Sequence, residues 1–176
     1  MRECSGGGGV GVGGLKKPSL CRLNISTMKG TEVAQFLQRK WPTRRFFQGV
    51  YPVDRLPHSI RYPCCLVINT DTADKSGEHW TALYVSGGGV GVYFDSLGLP
   101  PLHPFVVDFL KKHTEKYKCN SSNIQGLLSD KCGYYVLYFL YESASGRTLS
   151  QLLQPFSVYW PYQNDLWVVR WYNRHR

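Results

Sequence analysis

Cys132-Gly133-Tyr134-Tyr135-Val136-Leu137-Tyr138-Phe139-Leu140-Tyr141-Glu142 is the stretch whose reading decides the fold. Tyr134 to Tyr141 is the longest apolar run in the chain. It falls far short of the roughly 18 residues that a membrane span requires, so it belongs to a protein core. Tyrosine, valine and phenylalanine favour strands. The length of the run and its lack of alternation fit a helix buried on all sides equally well. In the helical reading, Cys132 and Gly133 open the helix.

Working outward, Cys64 to Asn69 (CCLVIN) is continuously apolar and reads as a buried strand. His79 to Val85 and Val90 to Asp95 read as two further strands, with the glycine string from Gly87 as a hairpin connection. Thr31 is placed to cap a helix with Val33, Phe36 and Leu37 on one face, ending before Pro42. The stretch from Gly49 to Pro57 carries prolines every few residues and reads as turns. Pro104 suits the first turn of a helix running to about Lys118. A third helical piece covers Thr148 to Gln154, and Asp165 to Tyr172 fits a short strand or a helix. The sum is an α+β domain: a small, mostly antiparallel sheet packed with helices.

Ser5 to Gly14 is nearly all glycine with two valines, a composition that buries too little to offset its ordering entropy. Residues 1–27 are therefore expected to form a flexible extension, and residues 28–176 one domain. The N-terminus lacks the apolar segment of a secretory signal. The six cysteines form no C-x-x-C pair, which fits a reduced, intracellular compartment. In that setting the glycosylation-like triplets Asn24-Ile25-Ser26 and Asn120-Ser121-Ser122 carry no meaning. The formal charge of +9 suits loose, non-specific attraction to DNA, although the basic residues are dispersed and no DNA-reading motif is visible. His113, Cys119 and Cys132 lack zinc-ligand spacing, so no metal is expected. The glycines at 87–91 are not followed by the Gly-Lys-Ser/Thr of a phosphate loop.

Singly, no titratable residue is persuasive; their order is. Gly77-Glu78-His79-Trp80 stands at a loop-to-strand boundary, and Tyr93-Phe94-Asp95-Ser96 closes the next strand. Asn123-Ile124-Gln125-Gly126 follows, and seven positions after Gln125 come Cys132-Gly133. Histidine–tryptophan, then an acid closing the next strand, then Gln-x6-Cys-Gly resembles the adenain family of viral cysteine proteases. Phe47-Gln48-Gly49-Val50-Tyr51, Leu66 to Asp71 and Tyr93 to Pro101 extend the likeness to the adenain-like proteases of Polinton elements and adintoviruses. It runs over roughly residues 28 to 170.

The resemblance implies a papain-like or adenain-like cysteine protease fold with the nucleophile at the N-terminus of a buried helix. In that scheme the helix dipole and the base His79 turn the Cys132 thiol into a thiolate. Asp95 fixes the imidazole tautomer. Gln125 and the Cys132 N–H donate to the oxyanion. Gly133 leaves room for substrate backbone, and Trp80 walls the site beside His79. Adenovirus adenains usually carry glutamate at the Asp95 position. Asp130, two residues before Cys132, is a rival acid better read as a helix cap.

The activity implied is a cysteine endopeptidase that cuts capsid or core precursor proteins at Gly-Gly or Gly-X-Gly sites, acting as a monomer in a host nucleus or virion. No cofactor is required, with room left for stimulation by DNA or by an activating peptide. A ubiquitin-like-protein-specific protease shares the order of residues. Such enzymes typically have one residue fewer between glutamine and cysteine, and aspartate where this chain has Lys131. A basic nucleic-acid-binding domain without catalysis is the non-enzymatic alternative.

Overall fold

The computed structural model describes residues 27–77 and 79–176. Apart from Thr27, the extension expected over residues 1–27 lies outside the described residues. The chain forms α1 (Gly30–Arg39), β1 (Phe47–Pro52), β2 (Cys64–Asn69), β3 (Trp80–Val85), β4 (Val90–Phe94), α2 (Pro104–His113), β5 (Lys116–Cys119), α3 (Cys132–Ala144), α4 (Leu149–Leu153) and α5 (Pro161–His175). Short 3-10 turns at Thr43–Arg45 and Val53–Arg55 flank β1.

The expected α+β architecture is present, but the sheet is mixed and not mostly antiparallel. Its five strands lie in chain order, β1-β2-β3-β4-β5. The two inner pairings, β2 with β3 and β3 with β4, are antiparallel. Both edge pairings are parallel. Parallel neighbours need crossovers longer than a hairpin turn, and α2 supplies one of them between β4 and β5. Both edge strands were hidden from the sequence reading. β1 lies in the proline-rich stretch, and Pro52 is tolerated because it closes an edge strand. β5 (KYKC) is polar and mostly exposed, and continues the pattern of the preceding helix. That helix stops at His113 because the next residues pair with β4, with Tyr117 opposite Gly91.

Cys132–Ala144 resolves as a helix. Ten of its 13 residues are buried, so no polar face is needed and none is present in the sequence. It lies between one face of the sheet and a shell made by α1, α4 and α5. β2 serves both faces of the sheet by simple alternation. Cys65 and Val67 join the α3 core, and Cys64, Leu66 and Ile68 join a second core under α2. The Phe139 ring of α3 stacks on Phe94 of β4, centroids 4.6 Å apart and planes 5° from parallel. On the outer side, Tyr138 meets Phe156, Trp167 and Trp171 edge to face. The segment after Trp160 is helical, with Pro161 in its first turn.

The stack between Phe94 and Phe139 seats α3 on the sheet. Phe139→Ala is expected to cost about 3–5 kcal/mol. That corresponds to a fall in Tm of roughly 10 °C, read by calorimetry or near-UV circular dichroism. A variant that melts with the parent would show that α3 does not depend on this contact.

Candidate active site

β3 enters the sheet at the end where β4 leaves it, which brings the residue before one strand beside the residue after the other. Those residues are His79 and Asp95. His79 Nε2 lies 2.8 Å from Asp95 Oδ1. Cys132 lines the same cleft as this imidazole. Since Nε2 is engaged by the carboxylate, the nitrogen available to the thiol is Nδ1. Burial pulls the His79 pKa down, but hydrogen bonds to Asp95 and Cys132 and their charges outweigh it and push it up to about 9. The arrangement therefore favours imidazolium at neutral pH.

Each partner is held in place. The loop before His79 is closed by the Thr70 N–H, which donates to the His79 carbonyl at 3.0 Å. Gly77 in that loop has φ +83°, and a Cβ there would lie 2.3 Å from the Asn69 side chain, so glycine is required. Asn69 thus braces the loop, and its Oδ1 accepts from the Asp71 N–H at 2.8 Å. Asp95 is 2% exposed. Its Oδ1 also accepts from the Leu97 N–H at 2.8 Å. Its backbone is clamped by buried Asn120, which accepts from the Asp95 N–H at 3.0 Å and donates to the Asp95 carbonyl. Asn120 is the first residue of the glycosylation-like triplet Asn120-Ser121-Ser122. In the fold it fixes the acid.

Gln125 is also buried and lines the same cleft as Cys132 and His79. Its Oε1 accepts from the Ser96 hydroxyl at 2.7 Å, and its Nε2 donates to the Ser129 carbonyl at 2.7 Å. A backbone bond from the Gln125 N–H to the Ser96 carbonyl (3.2 Å) ties this loop to the end of β4. From below, Asp165 of α5 accepts from the Gly126 N–H at 3.3 Å and from the Tyr135 hydroxyl at 2.9 Å. Burial holds the Asp165 carboxyl above its ordinary value despite these bonds. Ser96 and Asp165 have no local signal in the sequence, because their partners lie 29 and 39 positions away.

Cys132 is the first residue of α3 and is 3% exposed. The N-cap is Lys131, and no side chain caps the helix. Asp130 therefore does not cap it, contrary to the sequence reading. It pairs with Lys131 and accepts from the Thr27 hydroxyl at 3.2 Å. The acid on the imidazole is Asp95. Cys64 and Cys65 are interior residues of β2 whose thiols are raised by burial, Cys64 to about 12.

Two expectations are corrected. Gly133 does not leave room for substrate. A Cβ there would lie 2.8 Å from Cβ of Met28, so the space is taken by the chain's own N-terminal segment. Trp80 does not line the cleft either. Its Nε1 donates to the Met28 carbonyl at 3.2 Å and its ring packs over Gly30, so it clamps that segment.

The cleft over Cys132 has a volume of about 340 Å³, with Leu97, Leu127 and Leu128 as apolar walls. A larger cavity of about 490 Å³ touches His79 and Asp95 from the α2 side but reaches neither Cys132 nor Gln125. The smaller cleft is the candidate site because Cys132, His79 and Gln125 all line it. Among the described residues, no group of three His, Cys, Asp or Glu side chains converges as a metal site, and no helix is long and apolar enough to cross a membrane.

No family model matches the chain, and no curated protein matches it. Among solved structures, the chain is similar to the selenomethionine crystal structure of the ASFV pS273R protease. That match has a TM-score of 0.43 and 24% identity, over 53% of this chain. The matched part spans 40% of that protein's chain.

The folded-state pKa of His79 stands above its ordinary 6.5. Its stabilising contribution is therefore complete below that value and is lost as pH rises through about 9. Asp95→Asn removes the carboxylate that supports the imidazolium. The His79 resonance, followed by NMR titration, is expected to titrate well below about 9, and stability should fall less steeply between pH 6.5 and 9. Asp130→Asn should leave both unchanged. An unmoved His79 titration in Asp95→Asn would sink the assignment.

Proposed function

We propose that the chain is a cysteine endopeptidase of adenain type that processes precursor polypeptides at small residues. The observation that carries this reading is a single imidazole, 2.8 Å from a buried carboxylate and sharing one cleft with a cysteine at the start of a helix. A thiol becomes an effective nucleophile as its thiolate, which a neighbouring imidazolium and a helix N-terminus both favour. The Cys132 sulfur attacks the scissile carbonyl carbon. The tetrahedral oxyanion takes hydrogen bonds from the Cys132 N–H and from Gln125, whose amide has two N–H donors and spends one on Ser129. His79 then protonates the departing amine, and a thioester remains on Cys132. Water, activated by the now neutral His79, cleaves that thioester and returns the enzyme. Asp95 keeps Nε2 protonated and Nδ1 facing the sulfur throughout.

The depth of the nucleophile supports the choice of substrate. A reacting carbonyl must come within about 3–3.5 Å of the sulfur. With Cys132 only 3% exposed between leucine walls, residues without bulky side chains at the scissile bond approach best. The reading as a maturation protease for capsid or core precursors, and the affinity for DNA through the basic surface, follow from the resemblance of the motifs and from the +9 charge.

A peptide library rich in Gly-Gly and Gly-X-Gly sites, analysed by mass spectrometry, tests the proposal. The parent chain is expected to cut after small residues and Cys132→Ala to cut nothing. Gln125→Ala should lower kcat/KM by about 10²–10³, mostly in kcat, because the amide N–H not spent on Ser129 acts on the oxyanion. Equal cleavage by the parent and Cys132→Ala would refute the mechanism.

A further inference from the structure

We propose that the active site cuts its own chain, within the glycine run from Gly6 to Gly14. This rests on the protease reading above and adds a substrate to it. The structural basis is the placement of Thr27 and Met28. Thr27 is itself part of the cleft wall and donates to Asp130, two residues before the nucleophile. Met28 is buried against Gly133, the residue after the nucleophile, and its carbonyl is held by the Trp80 indole. The polypeptide therefore joins the domain across the first turn of α3. The 26 residues that precede Thr27 are tethered at the cleft that holds Cys132.

Those residues carry the chemistry that the cleft selects. Gly6 to Gly14 contains seven glycines in nine positions. A sulfur this deeply buried is reached most easily by backbone that carries no Cβ. The tether is long enough. The 13 residues from Gly14 to Thr27 span up to about 45 Å when extended, ample for the run to turn back into the cleft. Attachment raises the local concentration of the run to the order of millimolar, so weak affinity suffices. The chain's other glycine string, from Gly87 to Gly91, is a folded turn. The Ser86 N–H donates to the Val90 carbonyl at 2.9 Å, Gly89 has φ +73°, and Gly91 belongs to β4. It cannot be drawn out as an extended substrate without breaking the sheet.

The balance is that of ordinary hydrolysis. The Cys132 sulfur bonds to a glycine carbonyl carbon, the peptide C–N bond breaks, and His79 passes a proton to the leaving amine. One water then breaks the thioester. The products are an N-terminal peptide ending in a glycine carboxylate and a shortened domain with a new amino terminus.

The test follows the intact mass of the full chain over time at several protein concentrations, beside a Gly-Gly test peptide in the same tube. The expected result is loss of a fragment ending between Gly6 and Gly14, at a rate independent of concentration, with Cys132→Ala remaining whole. Replacing the seven glycines of the run by alanine should slow self-cleavage by at least about tenfold, since each added Cβ hinders approach to the sulfur, and leave cleavage of the test peptide unchanged. A chain that stays intact while it cuts the test peptide overturns self-processing and leaves the protease reading standing. A rate proportional to concentration overturns intramolecular delivery. If neither the chain nor the peptide is cut, both readings fall together.

Discussion

The burial of α3 on all sides constrains every other part of this molecule. A helix with ten buried residues in 13 has no solvent face, so the sheet must cover one side and α1, α4 and α5 the rest. The stack of Phe139 on Phe94 and the edge-to-face ring of Tyr138, Trp167 and Trp171 fix its position and rotation. Because the helix cannot shift, neither can its first residue. Cys132 is held at the end of the sheet where β3 begins and β4 ends, which is where His79 and Asp95 lie. Packing density in the core thus becomes positional precision at Cys132.

The second layer of control is polar. Asp95 would be expensive to bury alone, and its Oδ1 meets both the imidazole and the Leu97 N–H. Asn120 then locks the backbone of Asp95 from the β5 side. A parallel arrangement holds Gln125, with Ser96 on its oxygen, Ser129 on its nitrogen, and Asp165 beneath the next residue. Ser96 follows Asp95 directly, so the acid and the amide share one turn. Its Gly98 has φ +73°, and a Cβ there would lie 2.6 Å from the backbone of Ser122. A side chain at that position would push the two loops apart and loosen both functional groups at once.

The N-terminal side of the domain takes part in this site as well. Met28, Trp80 and Gly133 form one packed contact that carries the chain across the mouth of α3. Glycine at 133 is explained by that contact and not by access for a substrate. Tryptophan at 80 serves the same contact, so the histidine–tryptophan pair links the base to the anchoring of the N-terminal segment.

Local features of the sequence were enough for the α+β class and the three inner strands, and the motif order was enough to single out His79, Asp95, Gln125 and Cys132. These are legible because alternation, continuous burial and motif spacing are properties of neighbouring residues. The edge strands β1 and β5 were not legible. Proline and lysine obscure their β character, and what makes them strands is the open edge of a partner far along the chain. The same holds for the helical state of Cys132–Ala144, which only its burial on all sides decides, and for the services of Asn120, Ser96, Asp165 and Met28. Each depends on a contact tens of residues distant, and no local pattern encodes such a contact. The sequence by itself determined which chemical groups are available and in what order. Only the tertiary structure decided which of them meet, because packing a fully buried helix against a mixed sheet brings Cys132, His79 and Asp95 to one place.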